Sequence, residues 1–331
     1  MKPRLGFLGV GWIGTHRMEA IAKAGVAEIA AIADPSRERR EAARAVAPKA
    51  QLCERLGHLL ELPLDGIVIA TPSALHAEQA IAALERDRSV FCQKPLARTG
   101  EETRRVVEAA AVADRLLAMD LSYRHTAAMR TICEVVRAGG IGRPFAVDLT
   151  FHNAFGPDAA WFYDRKQAGG GCVIDLGVHL VDLAMWLLDY PEIQRVDAQL
   201  FCQGERARAD QCEDYAVVQM KLAGDIAVRL ACSWRVSAGR DAVIEACVYG
   251  SSGGVALKNV DGSFYDFVGE RYRGTKCEQL STGVSDAWGG RAAVAWAEQL
   301  AENPTFDTAA VQLIELADAL DAIYEAARCA S

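Results

Sequence analysis

The sequence lacks most of the features that would fix a function class at once. Its ten cysteines are never closer than ten residues to one another, so there is no Cys-x-x-Cys pair to suggest a zinc knuckle or a thioredoxin-type redox site. They are expected to be small buried hydrophobes. No stretch approaches the ~18 uninterrupted apolar residues of a membrane span. No secretory leader is evident either, because Met1-Lys2-Pro3-Arg4 runs directly into a short apolar strand and a glycine turn; the expectation is a cytoplasmic protein. The 28 glycines and 10 prolines follow no period, which excludes collagen-like and low-complexity classes. There is also no concentrated basic face, and so no footprint of a nucleic-acid binder.

What is present is an ordinary globular composition. Hydrophobic residues make up 51% and charged residues 24% of 331 residues, enough chain for two domains at roughly 150 residues each. The net charge of −8 is unevenly placed: residues 1–120 hold 17 basic and 16 acidic side chains, the remainder 19 and 28. The near-neutral first third does not oppose an anionic cofactor.

Two grammars follow one another along the chain. Up to residue 121, short apolar runs (Leu5–Leu8, Glu28–Ala33, Gly66–Ala70, Val90–Cys92, Leu116–Leu121) alternate with amphipathic stretches (Trp12–Ala24, Ser36–Val46, Leu75–Arg86, Glu101–Ala113). That alternation predicts α/β architecture, a doubly wound parallel sheet with helices on both faces and right-handed crossovers. From residue 122 to 331 the pattern predicts an α+β domain. A helix at Ala127–Arg137 is followed by strands at Pro144–His152, Arg195–Gln203, Tyr215–Leu222, Ile226–Trp234 and Ala242–Tyr249, interrupted by a helix at Val173–Leu188. With no helices between most of these strands, a large, mostly antiparallel open sheet is expected. Helices at Gly290–Leu300 and Thr308–Ala327 close the chain.

Gly9-Val10-Gly11-Trp12-Ile13-Gly14 lies between a predicted strand and a predicted helix, and Asp34 ends the next strand 20 residues later. In that context the glycine pattern reads as a dinucleotide-binding turn. Gly9 permits the tight turn, Gly11 lets backbone approach a pyrophosphate, and Gly14 lets helix and strand pack closely. Trp12 and Ile13 cover the pyrophosphate through backbone groups, at the positive end of the helix dipole. Asp34 accepts from the adenosine ribose and repels a 2′-phosphate, which favours NAD. Ser36 and Arg37, with Arg39 and Arg40 just beyond, leave NADP open.

Ala70-Thr71-Pro72-Ser73-Ala74-Leu75-His76 and Gln93-Lys94-Pro95-Leu96, taken with the glycine turn, resemble the Gfo/Idh/MocA family. The likeness continues through Ser122-Tyr123-Arg124, Ala138-Gly139-Gly140-Ile141-Gly142-Arg143-Pro144 and the Gly169–Asp182 segment carrying Asp175, His179 and Asp182. It implies a nicotinamide-binding first domain and a second domain whose open sheet pairs with another subunit, as a homodimer or homotetramer. It also implies sugars, sugar derivatives or cyclitols as substrates, oxidised at a secondary alcohol or reduced at the ketone. Two positions depart from the family pattern: Gln93 stands where a glutamate is usual, and Asp120 where a glycine is usual.

Oxidising a secondary alcohol removes a hydride and a proton. The cofactor carries the first, and a base of near-neutral pKa suits the second. By the family likeness His179 is the candidate acid/base, with Asp175 one helical turn before it as its partner. Lys94, after a strand of the first domain, is expected to hold the reacting oxygen and stabilise alkoxide character. The reading requires that lysine and that imidazole to serve one oxygen. Thr71, Pro72, Ser73, His76 and Gln93 are expected near the nicotinamide ribose or phosphate, and Ser122, Tyr123, His152, Asn153, Asp158 and Tyr163 on the substrate side. No metal is implied. The alternatives are a dehydrogenase of a dihydrodiol or nucleotide-linked sugar, or a non-catalytic sensor on the same fold.

Overall fold

In a computed structural model the described residues are 2–281 and 287–329. They form two compact units. The first comprises residues 1–122 and 289–314, the second 123–288 and 315–331.

The first unit holds a six-stranded sheet of β1 (Arg4–Leu8), β2 (Glu28–Ala33), β3 (Gln51–Cys53), β4 (Gly66–Ile69), β5 (Ser89–Cys92) and β6 (Leu117–Met119). The order is β3-β2-β1-β4-β5-β6, all parallel. The helices are α1 (Trp12–Ala24), α2 (Arg37–Ala43), α3 (Leu56–Leu60), α4 (His76–Leu84) and α5 (Gly100–Ala113). Their ends follow local chemistry. Gly25, at φ 66°, closes α1; the Ser36 hydroxyl accepts from Arg39 N–H at the start of α2, and Thr99 accepts from Glu102 N–H at the start of α5. Sheet order reverses between β1 and β4, so the turns after those strands flank the crevice where open parallel sheets take their ligands.

The division of the chain differs from the two consecutive segments, 1–121 and 122–331, that the sequence suggests. Helix Arg291–Glu302 returns to the first unit because it completes that unit's core. Trp296 and Leu300 are buried there with Leu5, Phe7, Ile32 and Phe91, and the Trp296 and Phe91 rings lie 5.7 Å apart. Gly66 makes room for it: a Cβ there would come within 2.8 Å of the Trp296 indole.

The second unit is built on a nine-stranded sheet: β7 (Pro144–Asn153), β8 (Ile193–Cys202), β9 (Glu205–Arg206), β10 (Tyr215–Leu222), β11 (Ile226–Ser233), β12 (Ala242–Gly250), β13 (Gly253–Asn259), β14 (Phe267–Arg273) and β15 (Lys276–Ser281). The order is β15-β14-β13-β12-β7-β11-β10-β8-β9. All neighbours are antiparallel except β7 and β11. Period-2 burial is clear on β10, where Ala216, Val218, Met220 and Leu222 are inside and Gln219 and Lys221 outside.

Helices α6 (Ala127–Arg137), α7 (Arg165–Ala168), α8 (Val178–Leu187), α9 (Arg291–Glu302) and α10 (Gln312–Cys329) complete the chain. The single helix expected at Val173–Leu188 is instead a π-turn, Val173–Gly177, leading into α8. Residues Arg165–Leu187 are long and apolar enough to cross a membrane, but 89% of the apolar window is buried inside the protein, as in a core helix.

Candidate active site

In the first unit the glycine turn has separable parts. Gly9 sits at φ 84°, and a Cβ on it would lie 2.6 Å from Ala70 O; a Cβ on Gly14 would lie 2.0 Å from Gly9 O. Both are glycines because the backbones touch. Gly11 is different. It has φ −66°, and a Cβ there would meet nothing nearer than Arg39 Nη1 at 4.0 Å, so neither conformation nor packing within this unit demands glycine. It precedes α1, whose first turn receives no side-chain cap and whose leading residue Trp12 is 70% exposed. The unused N–H groups of a helix start, beside ground kept clear of a side chain, fit a pyrophosphate.

Asp34 is fixed beside that turn. Its Oδ2 accepts from Val10 N–H at 3.0 Å and its Oδ1 from Ser36 N–H at 2.9 Å. Two amides aim the carboxylate and leave lone pairs on both oxygens for a ribose diol. Arg40, buried beneath, donates to Asp34 O and Pro35 O, so it staples the loop, whereas Arg37 and Arg39 remain exposed.

After β4, the Thr71 hydroxyl donates to Gln79 Oε1 at 2.6 Å. His76 is 1% exposed and both its ring nitrogens lie 2.7 Å from carbonyls, Nδ1 from Pro95 O and Nε2 from Thr71 O. The imidazole therefore sits between the loop after β4 and the loop after β5 with both nitrogens turned to backbone, and a neutral ring donates to one of the two carbonyls. Burial pushes its pKa down although the two carbonyls favour the charged form. Pro72 and Ser73 enter the short helical turn ahead of α4, and Ser73 is buried.

After β5, Lys94 is half-buried and its peptide bond to Pro95 is cis. Gln93 Oε1 accepts from Lys94 N–H at 3.2 Å. The Gln93 amide donates to Asp120 Oδ2, which Arg17 Nε also reaches, at 2.5 Å. Gln93 and Asp120 are thus direct partners. Asp120 Oδ1 is buried and meets no hydrogen-bond partner among the described residues. Ser122, also buried, ends this unit.

In the second unit Asp175 belongs to the π-turn, and its Oδ2 accepts from Trp234 Nε1 at 2.9 Å. His179, 6% exposed, lies in α8 with its ring 4.8 Å from that of Tyr123, edge to face. Tyr123 is enclosed by Phe151, Phe267 and Trp288 as well. Burial, with the Asp175 carboxylate as a lesser contributor, pushes the Tyr123 phenol well above its ordinary pKa. Asp175 is thus aimed by Trp234, just past β11, and its charge acts on the same Tyr123 ring that His179 packs against.

The other substrate-side candidates divide. His152 Nδ1 meets Ser233 Oγ at 2.8 Å, its ring stacks on Tyr215 at 5.6 Å, and burial lowers its pKa. Neighbouring Asn153 has a buried Oδ1 with no partner among the described residues. Asp158 is exposed on the loop after β7. Tyr163 donates to Pro157 O, accepts from Arg235 Nη2 at 3.0 Å and carries that guanidinium over its ring, so its polar end is spent on loop packing.

One further group has no sequence signal. Glu213, fully buried, accepts from Gly171 N–H at 3.0 Å, Val173 N–H at 2.9 Å and Tyr324 Oη at 2.8 Å, and so caps the turn that carries Asp175. Of the three glycines 169–171, Gly169 closes α7 at φ 91° and the other two answer to this. A Cβ on Gly171 would lie 1.9 Å from Glu213 O, and one on Gly170 1.8 Å from Tyr324 Oη.

Comparison with known proteins assigns the fold to a family. Residues 4–121 match the model of the oxidoreductase family with an NAD-binding Rossmann fold, and residues 129–256 that of the GFO/IDH/MocA C-terminal domain. The chain is 36% identical over 128 residues to 1,5-anhydro-D-fructose reductase of Ensifer adhaerens, a match spanning only 38% of each protein. It is 27% identical to myo-inositol 2-dehydrogenase of Thermotoga maritima over 87% of this chain and 89% of that one. A levoglucosan dehydrogenase structure with NADH has the same fold, with a TM-score of 0.85 at 21% identity over 100% of this chain and 98% of the other. Matched in both its parts, the chain belongs to the Gfo/Idh/MocA family of oxidoreductases.

Proposed function

We propose that this protein is an NAD-dependent oxidoreductase acting on a secondary alcohol, or the corresponding ketone, of a sugar, sugar derivative or cyclitol. The observation that carries the reading is Gly11, a glycine with no packing or conformational reason of its own, set between an uncapped helix start and a doubly anchored Asp34. The relatives named for inositol and anhydro-sugar chemistry support the substrate class.

NAD, when bound, takes up or returns the hydride. The chain supplies the rest. The first N–H groups of α1 hold the pyrophosphate and Asp34 the adenosine ribose; its carboxylate disfavours a 2′-phosphate, with exposed Arg37 and Arg39 as the opposing charges. Thr71, Pro72 and Ser73 line the nicotinamide side. The Lys94 ammonium hydrogen-bonds the reacting oxygen and stabilises its alkoxide character. His179 accepts the hydroxyl proton, and Asp175, aimed by Trp234, stabilises the imidazolium or holds a second hydroxyl. Ser122, His152, Asn153 and Asp158 supply polyol contacts. We place the protein in the cytoplasm, pairing with another copy through the open face of the nine-stranded sheet.

A panel of inositols, anhydro-sugars, aldoses and sugar acids, assayed with both cofactors, tests this. NAD-linked turnover of at least one polyol is expected. NAD binding with no turnover across the panel would make the protein a sensor instead. In the active case His179→Ala lowers kcat by roughly 10²–10⁴-fold, the usual contribution of a positioned acid/base, and leaves NAD affinity unchanged. Unchanged kcat removes His179 from the proton step. Asp34→Ala shifts preference toward NADP, and an unmoved preference refutes the ribose assignment.

A further inference from the structure

Arg17, Asp120 and Gln93 come from three separate elements of the first unit and form a closed cluster beneath Lys94. The Arg17 and Asp120 side chains are 7% and 0% exposed, and Gln93 is 7% exposed. One carboxylate oxygen, Asp120 Oδ2, takes both the Arg17 Nε–H and the Gln93 amide, and the other end of that amide takes Lys94 N–H. On the far side Arg17 Nη1 lies 2.9 Å from His16 Nδ1. Guanidinium only donates, so that nitrogen accepts and carries no proton, which makes the ring neutral in this contact; burial first, and Arg17 next, also push the His16 pKa down. The cluster therefore holds one cation and one anion.

That count decides what residue 93 must be. A carboxamide donates to Asp120 with one end and accepts from Lys94 N–H with the other, adding no charge. A glutamate would set a second carboxylate against the first in a closed site with a single guanidinium. An Asp120 without its charge would leave Arg17 buried and unbalanced.

We propose that Asp120 is a positioning residue for Lys94: anchored by Arg17, it orients Gln93, which fixes the backbone from which the ammonium projects, and the cluster needs one carboxylate, held at 120 and not at 93. This rests on the reading of Lys94 as the group that holds the reacting oxygen.

The test is a double-mutant cycle of Gln93→Glu, Asp120→Asn and the two together. The variants carry two, none and one carboxylate beside Arg17. Two readouts are taken besides melting temperature: kcat for the fastest polyol of the panel, and the acetylation rate of Lys94 by acetic anhydride relative to exposed Lys2, read by mass spectrometry. Each single variant should lose about 100-fold in kcat, as a misplaced reacting group does. Each should also change the acetylation rate of Lys94 relative to that of Lys2. The double variant should recover most of both. If one single variant does not fold, a folded double variant with restored acetylation supports the proposal equally. A double variant no closer to the wild type than the worse single one overturns the proposal. So do single variants that lower the melting temperature while kcat and acetylation hold. Lys94→Ala separates the two layers: full turnover there refutes the role of Lys94, whereas loss of turnover with no recovery in the cycle refutes only the role of Asp120.

Discussion

At the scale of single residues, the two kinds of glycine in one motif give predictions that separate in two assays. Gly14→Ala drives a Cβ to 2.0 Å from Gly9 O and must shift backbone, so it should lower stability by about 1–3 kcal/mol, the usual cost of overpacking. Gly11→Ala meets no protein atom inside 4 Å, so the melting temperature should hold while NAD affinity falls at least tenfold. Equal melting losses in the two would end the distinction. His76 gives a pH signature. Its folded pKa lies below the unfolded value of about 6.5, so below that pH the unfolded chain takes up the proton first. Its presence therefore costs stability on acidification below about pH 6.5, levelling off below the folded pKa. His76→Gln should be less stable than wild type at pH 7.5, through lost carbonyl contacts, but its denaturant midpoint should fall less between pH 7.5 and 5.5. Parallel slopes for the two proteins would show that the ring is not held neutral. Sequence marks all three positions and gives the two glycines their jobs, but not His76, which lies against two backbone carbonyls.

At the scale of elements, β1, β2 and β4 were legible as short apolar runs, β10 by its period and α1, α5 and α6 by their Gly or Thr caps. What stayed hidden is set by partners distant in the chain. The three-residue β3 has no period to display, and β15, with four exposed residues in a row, pairs only because β14 lies beside it. The parallel pairing of β7 with β11 likewise depends on which strand fills the gap beside β7. The π-turn at Val173–Gly177 belongs with these, since Glu213, 40 residues away, caps it. Sequence reasoning assigned Glu213 no role. Glu213→Ala removes three buried hydrogen bonds and leaves amide donors unmatched, so it should destabilise the protein by about 3–5 kcal/mol. Tyr324→Phe, losing one hydroxyl, should cost about 1 kcal/mol. A Glu213→Ala protein that melts within about two degrees of wild type would mean that the turn holds itself.

Across the whole molecule, a doubly wound parallel sheet was legible in strand-helix alternation, but neither its strand order nor the path of the chain was. Composition gives no sign that residues 289–314, read simply as a closing helix of the second domain, leave it and seal the first. The seal is substantial. Trp296 is 2% exposed and packs on Phe91 and against Gly66, and Pro304 O accepts from Leu116 N–H at 2.8 Å to anchor the approach to β6. Without that segment β4 and β5 lose an apolar cover, and Gly66 becomes a groove open to water. A fragment ending at residue 122 should therefore expose apolar surface, bind a hydrophobic dye and melt without cooperativity, although it holds every strand and the glycine turn. Joining residues 287–314 to it through a flexible linker should restore a cooperative transition and NAD binding. In the full chain Trp296→Ala should cost about 3–5 kcal/mol, the range for large aromatic truncations in a core. If the short fragment already folded cooperatively and bound NAD, the returning helix would be packing on a finished domain, and the sequence-based boundary at 121 would be the right one after all.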